Sequence, residues 1–147
     1  MSFNNLDSLY RQVIMDHYKA PRNRGKMDGD TLTIDMNNPT CGDRIELQMK
    51  VEDDIITDVK FLGEGCSISM ASASMMTEAV KGKRVADALD MSEAFSDMML
   101  GKDVDADEME EGDIAALQGV SQFPARIKCA TLAWKAMEKG VKKRRLT

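Results

Sequence analysis

In residues 44–51, Ile45, Leu47, Met49 and Val51 alternate with Arg44, Glu46, Gln48 and Lys50. A period of two puts one set on each side of a pleated strand, so this stretch is a half-buried strand of an antiparallel sheet. Few features restrict a fold as tightly, because a slip of one residue would turn every apolar side chain to solvent. Upstream, residues 31–36 alternate Leu32, Ile34 and Met36 with polar partners and form a first strand. Downstream, Glu52-Asp53-Asp54 makes a tight connection to a third strand over 55–62, with Thr57, Val59 and Phe61 expected on one face.

Helical patterns flank this sheet. Leu6, Leu9, Tyr10, Val13, Ile14 and His17 fall at helical spacing over residues 5–18, and Pro21 ends that helix before an Arg22-Asn23-Arg24-Gly25 turn. Gly63-Glu64-Gly65 breaks the third strand. Residues 67–81 are then rich in Ala and Met, with Met70, Met75 and Met76 as core filler and Gly82 as the stop. Two short helices are expected at 85–89 and 94–100, the second with Ser92 as N-cap. Pro124 opens a last helix that runs to about residue 142, where Trp134 would pack it onto the sheet. Strands followed by helices indicate an α+β fold: a small three-stranded antiparallel sheet with helices packed on one face. With 147 residues the chain reads as a single domain, 1–147, large enough to build a core without disulfides or a metal.

Composition removes several function classes. Hydrophobic residues at 43% and charged residues at 31% exclude general disorder. A net charge of −5 makes a nucleic-acid partner a poor expectation. That charge hides asymmetry: residues 103–113 carry seven acids and no base, while 126–147 carry eight bases and one acid. Each segment reads as a solvated face, with partner steering as the functional alternative. The first residues do not resemble a signal peptide, and no apolar run approaches the roughly 18 residues of a membrane span. The expectation is a cytoplasmic protein with no membrane partner and reduced thiols. A single histidine, His17, lies on the apolar face of the first helix and reads as a core or boundary residue. Neither a Ser/His/Asp arrangement nor a phosphate-binding glycine loop is present.

Three cysteines remain to be explained. Cys41 sits in Asn38-Pro39-Thr40-Cys41-Gly42-Asp43, where Gly42 allows a positive φ that could bring Cys41 and Asp43 to one point. Cys66 directly precedes a helix, whose dipole favours thiolate. Cys129 lies early in the last helix, flanked by Arg126 and Lys128, which favour thiolate too. Three thiolates and a carboxylate suit tetrahedral zinc, and thiolates equally suit an iron–sulfur cluster. The spacing alone matches no zinc finger and leaves three buried, inert thiols as an equal reading. Placement beside turns and helix starts argues against inert thiols.

At these cysteines the sequence resembles the U-type iron–sulfur assembly family, in its SufU branch. The resemblance rests on residues 9–25 (LYRQVIMDHYKAPRNRG), 38–43 (NPTCGD), 63–77 (GEGCSISMASASMMT) and 123–134 (FPARIKCATLAW). It implies the SufU/IscU-like α+β fold and a metal site built from Cys41, Asp43, Cys66 and Cys129. Related IscU scaffolds carry a histidine immediately before the third cysteine, where this chain has Lys128. They also lack an insertion of about twenty residues, which here falls around 92–113. Both departures point to the SufU branch and weigh against the full IscU role of building and releasing a cluster. The implied function is a zinc-dependent sulfurtransferase in iron–sulfur cluster assembly, a sulfur carrier rather than a stand-alone enzyme. Cys41 would accept persulfide sulfur from a SufS-type cysteine desulfurase and pass it to downstream cluster-assembly proteins. Arg126 would dock the donor or stabilise the persulfide, with a surface salt bridge as the alternative. A scaffold carrying a [2Fe–2S] cluster on the three cysteines is the competing function, and a zinc-stabilised adaptor that only activates the desulfurase is a third.

Overall fold

The structure is a computed structural model, and it describes residues 2–27, 32–38, 42–100, 114, 117, 120 and 123–145. Cys41 and the acidic 103–113 stretch lie outside the described residues. The chain runs α1 (Ser2–Lys19), β1 (Leu32–Asn38), β2 (Asp43–Glu52), β3 (Ile55–Glu64), α2 (Ser67–Val80), α3 (Val85–Met99) and α4 (Pro124–Arg145). The strands form an antiparallel meander in the order β1-β2-β3. This is the α+β architecture expected from the sequence.

The hairpin between β2 and β3 turns on Asp53 and Asp54, which have φ of 53° and 63°. Two successive positive φ values match the twist of the flanking strands, and Asp tolerates them at low cost. Ile45, Leu47 and Met49 of β2 are completely buried, as their alternation requires. On β3 the inward residues are Ile56, Val59 and Phe61, whereas Thr57 is exposed, contrary to expectation. The cause is a register irregularity between Lys50 and Val51: Lys50 pairs with Asp58 but Val51 pairs with Ile56, so the inward phase shifts at Thr57. The outer edge of β3 is covered by the turn after α1. Gly25 N–H donates to Phe61 O and Phe61 N–H donates to Asn23 O.

Helix α2 is buried on almost every side, with Ser69 through Thr77 continuously enclosed. Small side chains permit this, and their hydroxyls bond to neighbouring elements. Ser72 Oγ donates to Ala130 O of α4 at 2.5 Å. Ser74 Oγ accepts from Arg22 N–H at 2.8 Å and lies 2.7 Å from His17 Nδ1, tying α1 to α2. His17 is fully buried, as a core histidine would be. Met70, Met75 and Met76 all join the core.

The two short helices expected over 85–100 are one continuous helix. Residues 85, 88, 92, 95 and 99 form a single inward stripe, and Ser92 lies within it rather than capping a new helix. Ser92 is buried because its Oγ reaches Glu138 Oε1 of α4 at 2.7 Å. Trp134 stacks on Phe95 of α3, with ring centroids 4.9 Å apart and planes 16° from parallel. Its ring therefore joins α4 to α3, while α4 as a body also lies against β1 and β2. Among the described residues, no helix is long and apolar enough to cross a membrane.

Candidate metal centre

Three elements meet at one end of the sheet and bring three of the expected ligands together. Asp43 is the first residue of β2, Cys66 is the N-cap of α2, and Cys129 lies in the second turn of α4. A carboxylate oxygen of Asp43 and the sulfurs of Cys66 and Cys129 all lie within 4.8 Å of one another. Asp43 is 1% exposed and Cys129 is fully buried.

Local backbone chemistry sets each donor. Gly42, with φ +73°, donates its N–H to Asn38 O at 2.8 Å, closing the five-residue turn that delivers Asp43 into β2. Asp43 Oδ1 accepts the Cys66 N–H at 2.9 Å. Cys66 Sγ accepts Ser69 N–H at 3.4 Å, so a sulfur caps α2 where a hydroxyl or carboxylate usually does. Gly65 between them has φ +154°, and a Cβ there would overlap Asp43 Oδ1. Only glycine lets the chain pass this close to the carboxylate.

The donor set fits a cation. Asp43 Oδ2 is buried and has no hydrogen-bond partner among the described residues. A buried carboxylate oxygen without a donor is costly, and a metal ion removes that cost. Tetrahedral zinc with Zn–S near 2.3 Å places sulfurs about 3.8 Å apart. The three donors therefore need to draw together by no more than about 1.2 Å to bind it.

Arg126 stands one turn before Cys129 on α4 and is exposed. Its guanidinium is pushed above its ordinary pKa by the charge of Cys66 and by hydrogen bonding to Cys129, with further contributions from both sulfurs. The spacing of three residues explains the contact, since i and i+3 share a helix face. Lys128, directly before Cys129, is exposed and turned about 100° around the helix. Of the two expected flanking cations, Arg126 is the one that reaches both sulfurs.

One residue at the site escaped the sequence reading. Asn38, 7% exposed at the end of β1, holds its Nδ2 3.9 Å from Cys129 Sγ. A signal was available: it occupies the inward row of β1 after Leu32, Ile34 and Met36, where an apolar residue continues the pattern.

Comparison with known proteins agrees with this geometry. Over 144 residues the chain is 70% identical to the zinc-dependent sulfurtransferase SufU of Bacillus subtilis, covering 97% of both chains. It is 46% identical over 143 residues to the iron–sulfur cluster assembly scaffold protein IscU of Streptococcus pyogenes, covering 97% of this chain and 89% of that one. Its fold matches the crystal structure of an iron–sulfur cluster assembly scaffold protein for the SUF system from Fervidobacterium islandicum. That match has a TM-score of 0.83 and 37% identity, over 88% of this chain and 93% of the other. Residues 9–130 match the NifU-like N-terminal domain, and the chain belongs to that family.

Proposed function

We propose that this chain is a zinc-dependent sulfurtransferase of iron–sulfur cluster assembly, which receives persulfide sulfur on Cys41 from a SufS-type cysteine desulfurase. The observation that carries the metal is the convergence of Asp43, Cys66 and Cys129 around a buried, unpartnered carboxylate oxygen. The 70% identity to a protein named for this activity supports the chemistry. Cys41, two residues before Asp43 in the sequence, is the fourth ligand in this reading.

Zinc, when bound, keeps thiol ligands deprotonated and pins the elements that carry them. The chain's own residues divide the remaining work. Asp43 is anchored by the Cys66 N–H, and Cys129 is enclosed in the core. These two and Cys66 are the stationary donors. Cys41 is the reacting one: its thiolate attacks the terminal sulfur of the donor persulfide. A new S–S bond forms on Cys41, the donor's S–S bond breaks, and the donor cysteine leaves as thiolate with the electron pair. Arg126 orients the incoming anionic persulfide in this reading, which its exposure and its interactions with Cys66 and Cys129 support. The sulfur then passes to downstream cluster-assembly proteins. The chain acts as one domain, 1–147, in the cytoplasm, where reducing conditions keep the thiols available.

The test is intact-mass analysis under non-reducing conditions after mixing the purified chain with desulfurase and cysteine. The expected result is an adduct of about 32 Da, one sulfur, on Cys41. Undiminished sulfur transfer by Cys41→Ala would refute the assignment. Iron with sulfide in the freshly purified protein would favour the [2Fe–2S] scaffold instead.

A further inference from the structure

Asn38 ties together the parts of the metal centre in a way that none of its ligands does. It is the last residue of β1 and pairs in register with Asp43. Its carbonyl accepts the N–H of Gly42, the residue before Asp43. Its carboxamide, buried with the rest of the side chain, presents Nδ2 to Cys129 Sγ at 3.9 Å. The inward row of β1 otherwise holds Leu32, Ile34 and Met36, so a buried amide replaces a residue that would simply add apolar contact. Such a substitution is costly unless the amide has a partner. Here a partner is a metal-ligating sulfur.

We propose that Asn38 is a positioning residue of the metal centre, whose carboxamide holds Cys129 Sγ as a stationary ligand while its carbonyl accepts the N–H of Gly42, the residue before Asp43. An N–H directed at a thiolate takes up part of its charge, which lowers its nucleophilicity and fixes its rotamer. That marks Cys129 as a ligand that stays in place. The inference rests on the zinc reading of the site, and its test separates the two.

Asn38→Leu keeps the branched shape and removes the donor. In the whole chain, zinc affinity measured by chelator competition should fall by about 10–100-fold. Circular dichroism of the metal-free protein should stay unchanged. In cobalt(II)-substituted protein the sulfur-to-metal charge-transfer band should move to lower energy, because the thiolate becomes a stronger electron donor. Should Asn38→Leu fail to fold, Asn38→Ala removes the N–H without added bulk or charge, and its cobalt spectrum gives the same reading. A folded variant with wild-type zinc affinity and an unshifted cobalt band overturns the role of Asn38 alone. A wild-type chain that binds no zinc overturns the zinc reading beneath it.

Discussion

Replacing Gly65 by alanine should damage the site more than the same change at Gly42. At φ +154°, an L side chain is strained, by about 1–3 kcal/mol. The new Cβ would also overlap Asp43 Oδ1 and lie 3.0 Å from Asp43 Cα and Cγ. Backbone and a buried carboxylate cannot yield as the end of a flexible chain could. The displaced carboxylate loses its bond to Cys66 N–H, a charge-assisted interaction contributing about 1.5–3 kcal/mol. Together these reach about 2.5–6 kcal/mol. At roughly 3 °C per kcal/mol for a chain of this size, the melting temperature should fall by about 8–18 °C. Gly42→Ala is the matched control. It lies at the same site with φ +73°, yet nothing is within 4 Å of its Cβ position. Left-handed strain alone costs about 1–2 kcal/mol, or about 3–6 °C. Thermal melts of both variants after stripping with chelator isolate the protein's own contribution. Equal melting temperatures for the two would refute the close approach of Gly65 to Asp43 as the reason for that glycine.

Removing a stationary ligand should couple metal loss to stability. Cys66→Ser and Cys129→Ser should each lose bound zinc and melt lower than wild type, and an unchanged melting temperature after chelation of the wild type would contradict that coupling. The solvent face of the sheet supplies a pH test. The Arg44 guanidinium, 2.9 Å from Asp35, holds the Asp35 carboxyl below the usual carboxylate range. The pair's contribution is thus present above the unfolded Asp pKa of about 3.9 and disappears as the pH falls through the lower native value. Wild type and Asp35→Asn should differ slightly at neutral pH and converge in strong acid, as read by urea melts; a gap that widens on acidification would reverse the assigned sign.

The sheet and most helices were legible because each repeats one pattern over many residues. The β2 alternation survives intact in the burial of Ile45, Leu47 and Met49. Sequence reasoning failed where a tertiary contact overruled local pattern. Ser92 reads as a cap because hydroxyls favour helix starts, but Glu138 on a distant helix satisfies it inside α3. Thr57 reads as inward because a period of two was carried through the irregularity at Lys50 and Val51. At the site, thiol placement beside turns was informative, whereas convergence depends on three elements separated by up to 86 residues of chain (Asp43 to Cys129). Spacing alone could not show it, and the ligand set came from resemblance. Asn38 was missed because Asn37-Asn38-Pro39 reads as a turn that ends the strand at Met36.

The most direct measurement is zinc K-edge X-ray absorption on the purified chain. A site made by Cys41, Asp43, Cys66 and Cys129 predicts about one zinc per chain, with three sulfurs near 2.3 Å and one oxygen at about 2.0–2.2 Å. Cys41→Ala should lose one sulfur from that shell, and Asp43→Cys should exchange the oxygen for a fourth sulfur. A zinc shell that is unchanged by both substitutions would contradict the account.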